Sequence, residues 1–343
     1  YSIPVGEVYG LKNISKKIYA YRFKWSDVGN VKDYEKIKKK QKSNKNILEK
    51  NNEKIWFTNK RVIKFFEDEK IILKRVNRAK ILKKYVPRII NYKKNMYAYR
   101  EIKGETFSNI NDINAFKKLL AHIGKFHKVK KNINSTNLKK VCNKFYKDKT
   151  INRIKDFHKK FKIKDNNITL NGTKTYTIKE ILNKVDWKNL SNGTFANFHG
   201  DLHFENIIYS QLNKKFTFLD WRQDFGGNLK YGDIYYDLAK LMHGLIVSHK
   251  SVQNNQFKIK WTKKNIKFSI KSGKIYKKYL SIYKKWIFKN KYDYKKINIL
   301  TAIIYLNIAS LHHYPYSLFL YALGKKILTD ILIYNKNNII LNK

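Results

Sequence analysis

His199-Gly-Asp-Leu-His-Phe-Glu-Asn206 gathers Asp201, His203 and Asn206 into one short segment, and Asp220 follows fourteen residues after Asn206 in Phe216-Thr-Phe-Leu-Asp-Trp. Asp201 can take a proton from an attacking hydroxyl. Asn206 and Asp220 can both offer oxygen to Mg²⁺. Phosphoryl transfer asks little covalent chemistry of a protein; it asks for a positioned nucleophile and for phosphates whose charge a metal neutralises. An H-x-D-x-x-x-x-N loop followed by an aspartate at a strand end supplies both. His199 is expected to hold the loop through a backbone hydrogen bond, and His203 to face either substrate or packing.

A second aspartate competes for the metal. Asp224-Phe225-Gly226 spells a metal-binding triplet, but it lies in a loop with Gly227. Phe216, Phe218 and Leu219 give Asp220 an apolar strand to end on, so Asp220 is the preferred ligand.

Three motifs in order carry a resemblance. The His199–His203 run, Leu219-Asp220-Trp221 and Tyr231-Gly-Asp233-Ile-Tyr-Tyr-Asp237-Leu-Ala-Lys240 resemble the catalytic loop, the metal segment and the acidic helix start of the aminoglycoside phosphotransferase and choline kinase family. That family comprises small-molecule relatives of protein kinases. The resemblance implies an α+β, two-lobed, protein-kinase-like fold, with a small antiparallel sheet lobe over a larger, mainly helical lobe. It implies ATP and Mg²⁺ as cofactors and a small molecule as acceptor. It implies that Asp237 braces the catalytic loop and that Lys64, on a strand ahead of a helix, meets ATP phosphates. Tyr99–Gly104 resembles the hinge between lobes, where Glu101 and Ile102 would meet adenine; a plain edge strand is the other reading. The family pattern also expects a helix glutamate near Asn77 or Arg78. Neither is acidic, which leaves the partner of Lys64 open. A Gly-rich phosphate loop is missing, and Asn51-Asn52 would have to serve.

A shorter segment points upstream. Trp25-Ser-Asp-Val-Gly-Asn30-Val-Lys-Asp-Tyr34 resembles the end of sugar-phosphate nucleotidyltransferases, an ordinary Gly-Asn turn being the alternative. The resemblance implies a fused or partner nucleotidyltransferase domain and a chain that is a piece of something longer. The organisation expected is an extension or linker over residues 1–43, a nucleotide-binding lobe over 44–103 and a catalytic and acceptor-binding lobe over 104–343.

Composition narrows the partners. The 343 residues allow two or three domains and carry a net charge of +50, which invites a nucleic-acid or anionic-membrane reading. Only eight of the 75 basic residues are arginine, and Asn, Ile and Tyr are abundant, as an AT-rich coding bias produces. A phosphate-reading surface uses more arginine, whose fork grips phosphate at two points. No specific nucleic acid is therefore expected. One cysteine, Cys142, fits a reducing cytoplasm. The most apolar run, Ile297 to Leu311, is interrupted by Asn307 and too short to span a bilayer.

Along the chain, Ile47–Glu49, Lys54–Thr58 and Arg61–Phe66 read as a meander with Asn-rich turns. Glu69 to Tyr85 is an amphipathic helix that Pro87 ends. Arg88–Tyr92 and Met96–Ile102 read as strands, Ile113–Phe126, Ser135–Phe161 and Asp233–Leu245 as helical. Gln256–Trp261 and Ile266–Ile270 read as a hairpin, with three apolar helices near 275–288, 297–311 and 316–334.

The expected activity is transfer of the ATP γ-phosphate to a hydroxyl of choline or a sugar-like metabolite, in the synthesis of surface polysaccharide or lipid precursors. Candidate acceptor residues are His203, Trp221, Arg222, Tyr314 and Tyr316. A quaternary ammonium wants an aromatic cage; Arg222 hints instead at an anionic group, unless it pairs with Asp224 or Asp233. The C-terminal lobe has few carboxylates, so an aminoglycoside acceptor ranks last. A basic nucleic-acid-binding module and a catalytically weak kinase-like scaffold are the rival readings.

Overall fold

Asn59 and Lys60 both take positive φ (47° and 57°), the backbone of a tight hairpin turn whose twist matches the strands it joins. That turn links β1 (Glu53–Thr58) to β2 (Arg61–Phe66), with Thr58 opposite Arg61. Val62, Lys64 and Phe66 alternate onto the buried face of β2. The computed structural model describes residues 52–127 and 135–336, all within one unit, Lys50–Lys343. Ile47–Glu49 and Trp25–Tyr34 lie outside the described residues.

Helix α1 (Glu69–Leu82) starts where Asp68 accepts the Lys70 amide, and it buries Ile72, Val76, Ala79 and Leu82 as one stripe. It packs on β3 (Ile89–Lys93) and β4 (Met96–Arg100), which complete an all-antiparallel sheet in the order β1-β2-β4-β3. This is the small lobe.

The larger region is mainly helical. Strand β5 (Glu105–Thr106) leads to α2 (Ile113–Phe126), which buries Phe116, Leu119, Leu120, Ile123 and Phe126. Next come α3 (Ser135–Asn143) and α4 (Lys149–Phe161), joined by a π turn over Lys144–Asp148. The helical spacing shows the stretch but not the turn. Two three-residue strands follow, β6 (Ile168–Leu170) and β7 (Thr173–Thr175), then α5 (Ile178–Asn183) and α6 (Trp187–Leu190).

The segment that carries the motifs is built from short strands. Strand β8 (Phe195–Ala196) precedes the His199–Asn206 loop, and the hairpin β9 (Ile207–Ser210) and β10 (Lys215–Phe218) follows it. Strand β5 flanks β9, and β11 (Gly232–Asp233) pairs with β8 and runs into α7 (Ile234–Ile246). The loop is thus anchored at both ends by strands and backed by a helix.

A short α8 (His249–Gln253) leads to the hairpin β12 (Phe257–Trp261) and β13 (Asn265–Ile270). Strand β13 also pairs in parallel with β6, giving a four-stranded sheet that the sequence reading lacks. Helices α9 (Lys274–Lys289), α10 (Tyr294–Ala309) and α11 (Tyr316–Leu332) close the chain. Helix α10 is the core. It is buried on nearly every face and packs against α4, α7 and α11. Among the described residues no helix is long and apolar enough to cross a membrane.

Candidate active site

The loop is held by hydrogen bonds to its own ends. His199 is fully buried; its Nε2 lies 2.7 Å from the Leu219 carbonyl and its Nδ1 accepts the Asp201 amide at 3.2 Å. Burial pushes the imidazole down to about 4, so it is neutral, with one nitrogen donating and the other accepting. The Leu219 amide donates to the Asn206 carbonyl (2.7 Å) and the Arg222 amide to the His199 carbonyl (2.8 Å). The catalytic loop and the Asp220 segment are therefore stapled side by side.

Asp237, on the first turn of α7, is the brace. Its carboxylate accepts the amides of His199 (2.6 Å) and Gly200 (2.7 Å), and His127 Nε2 lies 3.0 Å away. Burial pushes this carboxyl up, but His127 and the donors from the loop hold it below its ordinary value. Asp233, four residues earlier, does a different job. It accepts the Tyr146 hydroxyl and the amides of Thr194 and Tyr235, and burial pushes its carboxyl up. Gly200 is needed where it stands: φ is +88°, and a Cβ would lie 2.6 Å from the Arg222 Cβ.

Asp201 faces outward, with 39% of its side chain exposed. Its Oδ1 is 2.7 Å from Lys240 Nζ and its Oδ2 is 3.5 Å from His203 Nε2. Burial would push its carboxyl up, but the Lys240 ammonium and the His203 imidazole hold it well below its ordinary value. His203 also meets Glu205 at 2.8 Å; against the effect of burial, Asp201 and Glu205 push His203 up to about 9. The sequence left His203 between substrate and packing; it is a member of a polar pair beside Asp201. Asn206 Nδ2 donates to the Asp201 carbonyl at 2.9 Å, which leaves Oδ1 as the oxygen that would meet a cation.

Asp220 lies on the other side. It follows β10 with φ +55°, and its carboxylate meets Lys64 of β2, with Arg75 Nη1 at 3.5 Å. The competing Asp224 is engaged elsewhere, with Lys74 Nζ at 2.7 Å and the Gly227 amide at 3.1 Å. The open question of the Lys64 partner thus has an answer in Asp220. Where the family pattern expects a helix glutamate, Arg78 is buried and reaches the carbonyls of Phe198, Arg222 and Leu229. Burial pushes its guanidinium down to about 9.

Most other candidates fall away from the loop, whereas Arg222 stays against it. Trp221 is buried, lies tilted against Tyr97 and donates its Nε1 to the Arg75 carbonyl. Tyr314 is exposed, and Tyr316 packs on Phe257 and Phe319. The Glu101 amide donates to the Lys60 carbonyl and extends the β2–β4 ladder, while Ile102 lines a groove with Val76 and Pro87. Arg222 makes neither ion pair expected of it; its guanidinium lies 5.1 Å from the Phe145 ring centre. Sequence reasoning missed Lys240 and Arg78. Lys240 was within reach, because it lies three residues after Asp237 and so on the same face of the helix.

Residues 60–251, more than half of the chain, match the model of the phosphotransferase enzyme family. The chain belongs to that family. No curated protein matches it. Among solved structures, a choline/ethanolamine kinase family protein from Mesorhizobium loti is similar at 12% identity, over 82% of this chain and 87% of that one, with a TM-score of 0.45. Choline kinase from Cryptosporidium parvum is similar at 10%, over 86% and 90%, with a TM-score of 0.46. The streptomycin–ATP complex of APH(2")-IIa is similar at 14%, over 83% and 91%, with a TM-score of 0.46.

Asp220 and Asn206 carry the oxygens that would hold a hard cation. That suits Mg²⁺, which commonly takes one or two protein oxygens and fills its shell with phosphate and water.

Proposed function

We propose that the chain transfers the γ-phosphate of ATP to a hydroxyl of a small molecule. The observation that carries this reading is the His199–Asn206 loop, which presents Asp201 and Asn206 and is stapled to the segment bearing the Lys64–Asp220 pair, with His199 and Asp237 fixing its backbone. Asp201 orients the acceptor hydroxyl. The hydroxyl oxygen bonds to the γ-phosphorus, the bond from that phosphorus to the bridging oxygen breaks, ADP departs and the hydroxyl proton passes to Asp201. A carboxylate held well below its ordinary value is a weak base, so the proton moves late, when the oxygen already bears much of the new bond. Asn206 and Asp220 would hold Mg²⁺, which when bound neutralises phosphate charge. Lys64 meets the α- and β-phosphates, and the Glu101–Ile102 segment the adenine.

Two observations favour a sugar-like acceptor over choline. Trp221 and Tyr236 are packed into the core rather than lining an aromatic cage. Lys240 beside Asp201 repels a quaternary ammonium. The nucleotidyltransferase-like Trp25–Tyr34 segment suggests that the phosphorylated product is next joined to a nucleotide, as precursors of surface polysaccharide or lipid are. The test is ATP consumption with Mg²⁺ against a panel of choline, ethanolamine, hexoses, amino sugars and aminoglycosides. Acceptor-dependent ADP release with a sugar-like compound is expected. Turnover only with aminoglycosides, or sub-micromolar RNA binding without turnover, would overturn the reading.

A further inference from the structure

Three cations, Lys240, Arg222 and Lys149, gather near Asp201. Lys240 touches the carboxylate directly. Arg222 runs along the loop where the missing Gly200 side chain leaves room, with its Cβ in the place of a Gly200 side chain. Its guanidinium and the Lys149 ammonium both lie over the ring of Phe145, at 5.1 Å and 4.3 Å from the ring centre. Phe145 belongs to the π turn and Lys149 is the first residue after it. Such turns are frequent at functional sites.

The counter-ions are committed elsewhere. Glu205 is held by His203, Asp224 by Lys74, Asp237 by the loop amides, and Asp233 by Tyr146 and two amides. Among the described residues neither Arg222 nor Lys149 has a carboxylate within 4 Å. Burial first, then Arg222 and Lys240, push Lys149 down to about 7. All three cations come from the helical region, whereas the donor-side cations Lys64 and Arg75 come from the small lobe.

We propose that the acceptor carries an anionic group, a carboxylate or a phosphate ester, beside the hydroxyl that is phosphorylated, and that Arg222 and Lys149 hold that group. This rests on the phosphotransferase reading above and narrows its acceptor to an anionic, sugar-like compound. Phe145 supports both cations from behind, so they meet an anion with little loss of side-chain freedom.

The experiment compares frameworks that differ in charge: glycerol against glycerate and glycerol 3-phosphate, glucose against glucuronate and glucose 6-phosphate, with choline and ethanolamine as cationic controls. Binding of each to the full chain is measured by calorimetry with a non-hydrolysable ATP analogue, and phosphoryl transfer with ATP. Expected is binding at least about tenfold tighter for a carboxylate or phosphate member than for its neutral parent, with Lys149→Gln and Arg222→Gln each removing most of the gain. The carboxylate and phosphate arms tell the two anions apart. Tighter binding of choline or ethanolamine, or no anion preference, overturns the inference, as does a rise in the ATP KM alone in both variants. Turnover tests the other reading separately: if the chain transfers phosphate from ATP to no acceptor and does not hydrolyse ATP, yet anions still bind more tightly than their neutral parents, the phosphotransferase reading fails and the anion site stands.

Discussion

The two aspartates at the heart of the site are each met by a lysine, and the pairs join different things. Asp220 meets Lys64 from the small sheet, so that contact spans the lobes. Asp201 meets Lys240 from α7, so that contact stays inside the helical region. Lys64 is fully buried in the sheet, whereas Asp201 keeps more than a third of its surface open. On the proposed reading the first pair answers to nucleotide and lobe approach, the second to the acceptor. Substitutions on the two sides should therefore separate cleanly in kinetics.

The largest effect should come from the aspartates themselves. Asp201→Asn should lower kcat by about 10²–10⁴-fold while nucleotide binding survives. Asp220→Ala should abolish most Mg²⁺-dependent nucleotide binding, by more than the roughly 10–100-fold that even outer-shell partners of a metal cost, and Asp224→Ala should do little. Calorimetry with Mg²⁺ and an ATP analogue decides; equal losses in Asp220→Ala and Asp224→Ala would remove Asp220 as the preferred metal ligand.

Arg78 ties the two sides together, because α1 reaches through it to the carbonyls before the loop and after Asp220. Arg78→Met leaves those buried carbonyls without a donor and should cost about 2–4 kcal/mol, each unsatisfied buried group costing roughly 1–3 kcal/mol. Thermal unfolding measures it, and an unchanged Tm would make Arg78 a bystander.

A smaller effect separates the lysines. Lys64→Met should raise the ATP KM, and Lys240→Met the acceptor KM, each on the order of tenfold, or about 1.4 kcal/mol. If both substitutions moved the same constant, the division of labour would be wrong. The smallest effect is in pH. Lys149, facing Arg222, Lys240, Arg153 and Asp201, is pushed down to about 7 by burial and then by its cationic neighbours. A lysine is charged below its pKa, so affinity for an anionic acceptor should weaken as pH rises through about 7. One partly screened charge is worth about 1 kcal/mol, hence roughly threefold to fivefold. A profile identical in Lys149→Gln would remove Lys149 from that role.

What the sequence made legible follows from how local each feature is. The His199–Asn206 loop and Asp220 could be read because their chemistry is written in residue type and spacing. The Asn59-Lys60 hairpin and the α10 core helix could be read because turn chemistry and hydrophobic period act over a few residues. Lys240 and Arg78 could not be singled out by type alone: lysine is everywhere in this chain, and a buried arginine looks the same in sequence as an exposed one. The β6–β13 pairing escaped because three-residue strands show no alternation and their partners lie about a hundred residues apart. The aromatic acceptor candidates misled for a related reason. Trp221 and Tyr316 have the right chemistry, but their surroundings recruit them for packing.

The π turn over Lys144–Asp148 has a consequence for chain length. It holds one residue more than an α-helix needs for the same bonds; it contains Tyr146, which reaches Asp233, and ends just before Lys149, which lies over Phe145. Deleting Lys147 would let the turn relax to an α-helix and rotate one side against the other by about 100°. The hydroxyl contact to Asp233 and the cation beside the acceptor could then not both survive. A relative one residue shorter here would have to rebuild one of the two, and on the proposed reading only the loss of the Lys149 position would change the acceptor.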